Sequence, residues 1–272
     1  MVGAEGDDFG TKLSQGSAYV FAKPSGGWAD MTETAKLTAS DGSAHDRFGY
    51  AVSISGDTVV VGAPRDDIGT NEEQGSAYAF ERPPEGWVDM TETGKLIDQI
   101  GAKGNLLGSS VSISGDTVVV GATSAWVKGR ACIFVRPAGG WQNPTYWKAT
   151  LYSVDISEDH PGFGFSVSIS GDTAVVGAYR DTIGGNTTQG SAYVFKKPHG
   201  GWPVFFYYAA KLTARDGAAG DFFGYSVSIS GDTVLVGAYG DDDKGSKSGS
   251  AYVFKMTGGL APIYMLLLGD DG

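Results

Sequence analysis

An all-β propeller of about five four-stranded antiparallel blades, the first incomplete at its N-terminus, is the fold this sequence predicts. Three observations lead there. The phrase SISGDT recurs at Ser53, Ser112, Ser168 and Ser228, each time followed by Val-Gly-Ala at Val61, Val120, Val176 and Val236. A second phrase, GSAYVF or a near copy, follows at Gly16, Gly75, Gly190 and Gly249, with GRACIF at Gly129. The 43 glycines stand among runs of Val, Ile, Thr, Tyr and Phe, which read as short strands joined by tight turns. Self-similarity at a period of about sixty residues makes each repeat one supersecondary unit.

Each element of a unit follows from its residues. YAVSIS alternates apolar and small polar side chains, as a strand with two different faces does. Ser-Gly-Asp-Thr is a tight hairpin turn whose glycine takes positive φ. TVVVGA is the returning strand, and its unbroken apolar run predicts burial on both faces. GSAYVF is the third strand, and the Lys-Leu segment that follows each Gly-Trp is the fourth. The units fall at residues 1–42, 43–98, 99–157, 158–217 and 218–272, forming one domain over 1–272. Unit one opens at Val2-Gly3-Ala4 and so lacks its first strand. The apolar tail at residues 263–268 has two readings. Sequential strand order makes it the outer strand of unit five, which is preferred; its hydrophobicity makes it an inner strand that closes the ring.

Phe-Gly before the first strand and Gly-Ala-Pro after the second, at Phe48, Gly49, Gly62, Ala63 and Pro64, resemble the FG-GAP repeat, the blade unit of integrin α-subunit propellers. The resemblance covers nearly the whole chain. It implies a propeller and an extracellular or cell-surface setting, and it implies no single activity. The family's Asp-rich calcium loop between the first two strands is absent here, because Ser-Gly-Asp-Thr is too short to surround an ion that needs six to eight oxygens. Asp57, Asp116, Asp172 and Asp232 therefore read as turn residues.

Composition excludes several functions. A net charge of -11 argues against nucleic acid or an anionic membrane as partner. No apolar run is long enough to span a membrane, and VGAEGDD after Met1 is unlike a signal peptide. The single cysteine, Cys132, excludes an internal disulfide.

Residues common to every unit are explained by building a blade, so function is sought where units differ. The loops between strands two and three, and between successive units, emerge on one face and carry most of the acidic residues. Those acids are expected to be solvated. Candidate ligand-binding residues are Asp46, Asp221, His45 and His160 in that face, and Trp126, Lys128 and Arg130 in the unit-three loop TSAWVKGR. There the exposed Trp stacks on a sugar or anchors a protein, or else caps the core. Any calcium is expected to bind weakly, at Asp241, Asp242 and Asp243 or at Asp66 and Asp67, and no other cofactor is expected. No catalytic residue is assigned, since no nucleophile elbow, phosphate loop or His-rich metal motif occurs.

The leading expectation is a non-catalytic binding or adhesion module with a protein or glycan ligand on the acidic face. Its alternatives are a carbohydrate-active enzyme, which needs two acids with one pKa raised by burial, and a structural fragment without a ligand. Self-association through the incomplete blade is a further expectation.

Overall fold

The computed structural model describes residues 1–124, 129–153 and 162–256 and the strand Tyr264–Leu266. Every regular element among them is a strand. The second sheet shows the plan: β4 (Ala51–Ser55), β5 (Thr58–Ala63), β6 (Ser76–Glu81) and β8 (Gly94–Ile97) pair antiparallel in that order. The first sheet has β1 (Val2–Ala4), β2 (Ser17–Val20) and β3 (Ala35–Thr38), with β1 at its edge. The third holds β9 (Leu107–Ser114), β10 (Thr117–Ala122), β11 (Arg130–Val135) and β13 (Ala149–Tyr152). The fourth holds β14 (Phe163–Ser170), β15 (Thr173–Ala178), β16 (Ser191–Lys196) and β18 (Ala210–Leu212). The fifth holds β19 (Phe223–Ser230), β20 (Thr233–Ala238), β21 (Ser250–Lys255) and β22 (Tyr264–Leu266). β22 lies antiparallel beside β21, with Leu266 opposite Val253, which is the outer position. Residues 257–263 and 267–272 lie outside the described residues.

The turn and strand chemistry is as the repeats predict. Gly56, Gly115, Gly171 and Gly231 have φ of 57°, 55°, 55° and 58°, as a two-residue hairpin loop with glycine first requires. The following aspartates are turn residues. The carbonyls of Asp57, Asp116, Asp172 and Asp232 accept the N–H of Arg82, Arg136, Lys197 and Met256 at 2.7–2.8 Å, which ties the turn to the end of strand three.

Three short strands were not legible in the repeats. β7 (Met90–Thr91) adds in parallel to β3, β12 (Thr145–Tyr146) to β8, and β17 (Phe205–Tyr207) to β13. Each comes from the segment after a Gly-Trp and covers the outer edge of the preceding sheet, where unpaired backbone groups would otherwise face water. Phe205 and Tyr207 are nevertheless each 58% exposed.

By packing, the chain forms two compact units, Met1–Val120 with Phe134–Trp147 and Gly121–Ile133 with Lys148–Gly272. In the first, Phe48 meets Tyr78 and Phe80 edge-on, with centroids at 5.3 and 5.9 Å, beside Val59, Val61 and Leu37. In the second, Phe223 meets Tyr252 and Phe254 in the same way, at 5.3 and 6.0 Å. Tyr and Phe two apart in SAYxF point to one face of the strand, and the Phe of Phe-Gly fills the space over both.

Successive sheets interlock through glycine. A Cβ on Gly62 would run into the carbonyl oxygen of Gly108, and one on Gly75 into that of Leu107. Gly62→Ala is therefore expected to lower the unfolding free energy by roughly 3 kcal/mol, the upper end of overpacking costs, because the obstacle is backbone. Urea denaturation checks it; a loss below the error of the measurement would sink this account of the Val-Gly-Ala phrase.

One expectation fails outright. Asp46, Asp66, Asp98, Asp181, Asp221 and Asp241 are buried, not solvated. The glycine-rich turns fold back over these carboxylates, and serine, tyrosine and backbone donors replace water around them.

Candidate active site

A four-residue network recurs beneath the loops. Asp66 Oδ2 accepts hydrogen bonds from Ser76 Oγ at 2.5 Å and from the Tyr78 hydroxyl at 3.1 Å. The Lys95 ammonium lies 2.6 Å from Asp66 and 2.6 Å from Asp41, and sits over the Tyr78 ring at 5.1 Å. In the fourth sheet, Asp181 is held by Ser191 at 2.6 Å, Tyr193 at 2.9 Å and Lys211 at 2.8 Å. In the first, Asp7 is held by Ser17 at 2.5 Å, Tyr19 at 2.5 Å and Lys36 at 3.4 Å.

Strand register builds the network. Tyr78 stands opposite Lys95, Tyr193 opposite Lys211 and Tyr19 opposite Lys36, so side chains of one face converge on the aspartate of the loop before strand three. Burial pulls the Asp41 carboxyl upward, yet the Lys95 ammonium and Tyr78 outweigh it and leave it below the usual carboxylate range. Lys95 is likewise pulled down by burial but ends above its ordinary value, because Asp66 and Asp41 flank it. Burial pushes the Tyr193 phenol up to about 12, so it remains a donor. The sequence had given these tyrosines and lysines to the scaffold. The signal that could have found them is spacing, since Ser and Tyr follow their aspartate by 10 and 12 residues in all three copies.

The third and fifth copies differ. In the third sheet Cys132 stands opposite Thr150 where the others have Tyr opposite Lys, and Arg130 takes the place of the serine. All partners change together. In the fifth, Tyr252 donates to Asp241 at 2.6 Å and shares Asp216 at 3.1 Å, but no lysine occurs after Lys255 in the sequence.

Two predicted candidates stand apart from this scaffold chemistry. Asp46, 4% exposed, accepts the Ser43 N–H at 2.6 Å. Burial pushes its carboxyl up to about 7 against that hydrogen bond, and the charges of Asp66 and Asp67 add to the rise while Lys95 opposes it. Asp221, holding the Ala218 N–H at 2.6 Å, is also raised, by burial first and then by Asp241, Asp242 and Asp243. The turn does not require an acid, because buried Asn105 occupies the same place before Leu107-Gly108.

His45 adds a second departure from the repeat. It is exposed with φ of 71°, whereas Gly104 and Gly220 fill its place elsewhere with φ of 72° and 89°. A histidine at a positive φ that two of its copies fill with glycine, the third copy being His160, costs about 1 kcal/mol, and such strain collects at functional sites. Its backbone N–H donates to the Leu13 carbonyl at 2.8 Å.

The remaining candidates divide as follows. Asp67 is exposed and accepts the Glu73 N–H at 2.8 Å; Asp242 and Asp243 are exposed beside buried Asp241. Arg130 lies half-buried on β11, while Trp126, Lys128 and His160 lie outside the described residues. His45, Asp46, Asp66 and Asp67 belong to the first compact unit, and Asp221 and Asp241 to Asp243 to the second. Among the described residues no group of three or more His, Cys, Asp or Glu side chains is arranged to hold a metal ion. At Asp66 a cation would have to displace Lys95.

Residues 31–80, 90–131, 157–195 and 208–254 match the family described as FG-GAP repeat. No curated protein matches the chain. Among solved structures, a periplasmic gluconolactonase of Pseudomonas aeruginosa superposes with a TM-score of 0.51 at 15% identity, over 87% of this chain and 64% of that one. A putative 6-phosphogluconolactonase from Bacteroides uniformis gives a TM-score of 0.49 at 11% identity, over 82% and 57%. The chain thus spans less than two thirds of the length of either. The first of these is a gluconolactonase, and on that finding the expectation of a non-catalytic binding module is withdrawn. No helix among the described residues is long and apolar enough to cross a membrane, which says nothing of a β-barrel.

Proposed function

This chain belongs to the FG-GAP repeat family, and from that premise we propose that it is a carbohydrate-active hydrolase whose loop carboxylates carry acid–base chemistry. The observation that carries the reading is Asp46, a buried carboxyl raised to about 7 beside Asp66, which is salt-bridged to Lys95. An acid that exchanges its proton near neutral pH is what hydrolysis of a sugar bond asks of a general acid or base. The lactonase neighbours support a cyclic sugar ester as the first substrate class to try.

The chemistry is then a single acid–base cycle. Ionised Asp46 takes a proton from water as its oxygen bonds to the lactone carbonyl carbon. The ring C–O bond breaks, the proton passes to the departing ring oxygen, and an open hydroxy acid results. Tyr50, 45% exposed and bonded through its N–H to the Arg47 carbonyl at 3.1 Å, offers an aromatic face in the same turn on which a sugar ring stacks. The five sheets act in this reading as five blades of a propeller, and the protein works outside the cytoplasm.

Assay against a panel of aldonolactones and aryl glycosides tests the proposal. Turnover is expected with a pH–rate limb near 7, and Asp46→Asn is expected to lower kcat/KM at least a hundredfold with the fold intact, since Asn105 shows that the turn accepts an amide. Equal activity in Asp46→Asn, or no turnover of any panel member, would defeat it.

A further inference from the structure

Of the three short strands on outer sheet edges, β17 departs from its copies. It ends the third sheet among the described residues, in the order β17-β13-β11-β10-β9, and both it and β13 belong to the second compact unit. The corresponding segments elsewhere carry charge, which guards an edge strand against further pairing. Unit two has Asp89, which accepts the Lys36 N–H at 2.7 Å, and Glu92, which accepts the N–H and hydroxyl of Ser40 at 2.9 and 2.6 Å. Unit three has exposed Lys148 directly after its edge strand. In unit four the same place reads PVFFYYAA, and no Asp, Glu, Lys or Arg occurs from residue 200 to residue 210.

The register of β17 fixes which groups look outward. Thr150 stands opposite Phe205, Leu151 opposite Phe206 and Tyr152 opposite Tyr207, and the Thr150 N–H donates to the Val204 carbonyl at 2.9 Å. Backbone groups alternate sides along a strand, so Val204 and Phe206 face β13 while Phe205 and Tyr207 turn their N–H and carbonyl groups away from the sheet. Side chains alternate as well. Phe206 is half-buried, its ring 5.6 Å from Trp202 and 6.3 Å from Phe195. Phe205 and Tyr207 share the other face, where both are exposed. Open backbone and bare aromatic surface therefore occur on the same two residues, which is the combination that strand addition uses.

We propose that β17 pairs antiparallel with β17 of a second copy of this chain, joining two third sheets edge to edge. The strand is self-complementary in one register. Its two outward residues lie symmetrically about Phe206, so a two-fold axis there sets Phe205 of each copy opposite the partner's Tyr207 and closes about four backbone hydrogen bonds. The same register stacks Phe205 beside the partner's Tyr207 as a cross-strand aromatic pair. Charge also selects a copy. Two chains of net charge -11 repel, so they can meet only where charge is locally absent, and residues 200 to 210 are such a stretch. Three residues a side make a small contact, so a monomer–dimer equilibrium is expected and not a permanent dimer. The contact is independent of Asp46 and of the proposed hydrolysis.

Sedimentation equilibrium of the full chain over a wide range of concentration tests the assignment. A dimer that dissociates on dilution is expected. Tyr207→Lys places a charge on the edge at a side chain already in water, and it is expected to raise the dissociation constant roughly tenfold or more, as loss of a central aromatic does. Phe205→Pro removes an N–H that points away from β13, so the sheet keeps its own bonds while the pairing between copies loses one on each side; it is expected to weaken the dimer to a similar degree. A chain that stays monomeric at every concentration overturns the proposal and leaves the edge to an extended segment of another protein. A dimer that survives Tyr207→Lys overturns it too, because the contact then lies elsewhere. Should Phe205→Pro unfold, Tyr207→Lys decides alone, with circular dichroism confirming that this variant keeps its strands.

Discussion

Lys95→Met is expected to cost about 3–5 kcal/mol of unfolding free energy, the range for removing one member of a buried ion pair. The side chains of Lys95 and Asp66 are each only 7% exposed, and the ammonium also reaches Asp41. Removing it leaves two carboxylates near one phenol with nothing of opposite charge between them. Lys103 supplies the contrast. Its pair with Glu72 is exposed on both sides, so Lys103→Met is expected to leave the urea midpoint unchanged. If the two variants unfold alike, the buried network is not what holds the second sheet.

The third sheet indicates how the loss is recovered. There tyrosine, serine and lysine are replaced together by Cys132, Arg130 and Thr150, so a sheet of this repeat is built without the network. Removing one charge strands its partner; removing both leaves ordinary strand packing. Lys95→Met with Asp66→Asn is accordingly expected to be more stable than Lys95→Met alone, a positive coupling of the kind that double-mutant cycles read.

The repeats made the strands, their order and the hairpin turns readable, because period-two alternation and Gly-Asp turns are local features. The parallel strands β7, β12 and β17 were not readable: MT, TY and FFY are too short to show a period, and their pairing depends on where the preceding sheet ends. For the site, Asp46 and His45 could be picked as departures from the repeat, but the burial of Asp46 could not. Hydrophilic loop sequence suggests solvation, whereas the Ser43 turn and the neighbouring Asp66 loop enclose the carboxyl. Dividing scaffold from function by repetition also set aside Tyr78 and Lys95. They are scaffold, and their charges still bear on the acid beside them.

Asp46→Asn is expected to stabilise the protein above pH 7 by up to about 4 kcal/mol and to do little at pH 4. The sign follows from where the proton sits. The folded carboxyl is raised from 3.8 to about 7, so between those values the folded protein holds a proton that the unfolded chain has released. Stability from this group is complete below pH 3.8, falls by at most about 1.4 kcal/mol per pH unit as pH rises, and is lost above 7. Asparagine carries no such proton and removes that slope. Asp7 and Asp241, which hydrogen bonds hold below the usual range, slope the other way at lower pH, and Asp221 slopes with Asp46. All three are shared by both proteins and cancel in the difference. Lys95→Met should move the Asp46 step upward, since it removes the cation that opposes the rise. Urea unfolding of the two proteins from pH 4 to 8 decides it: curves that run parallel through this range would mean that Asp46 titrates as an ordinary carboxylate, and the acid–base role would lose its physical basis.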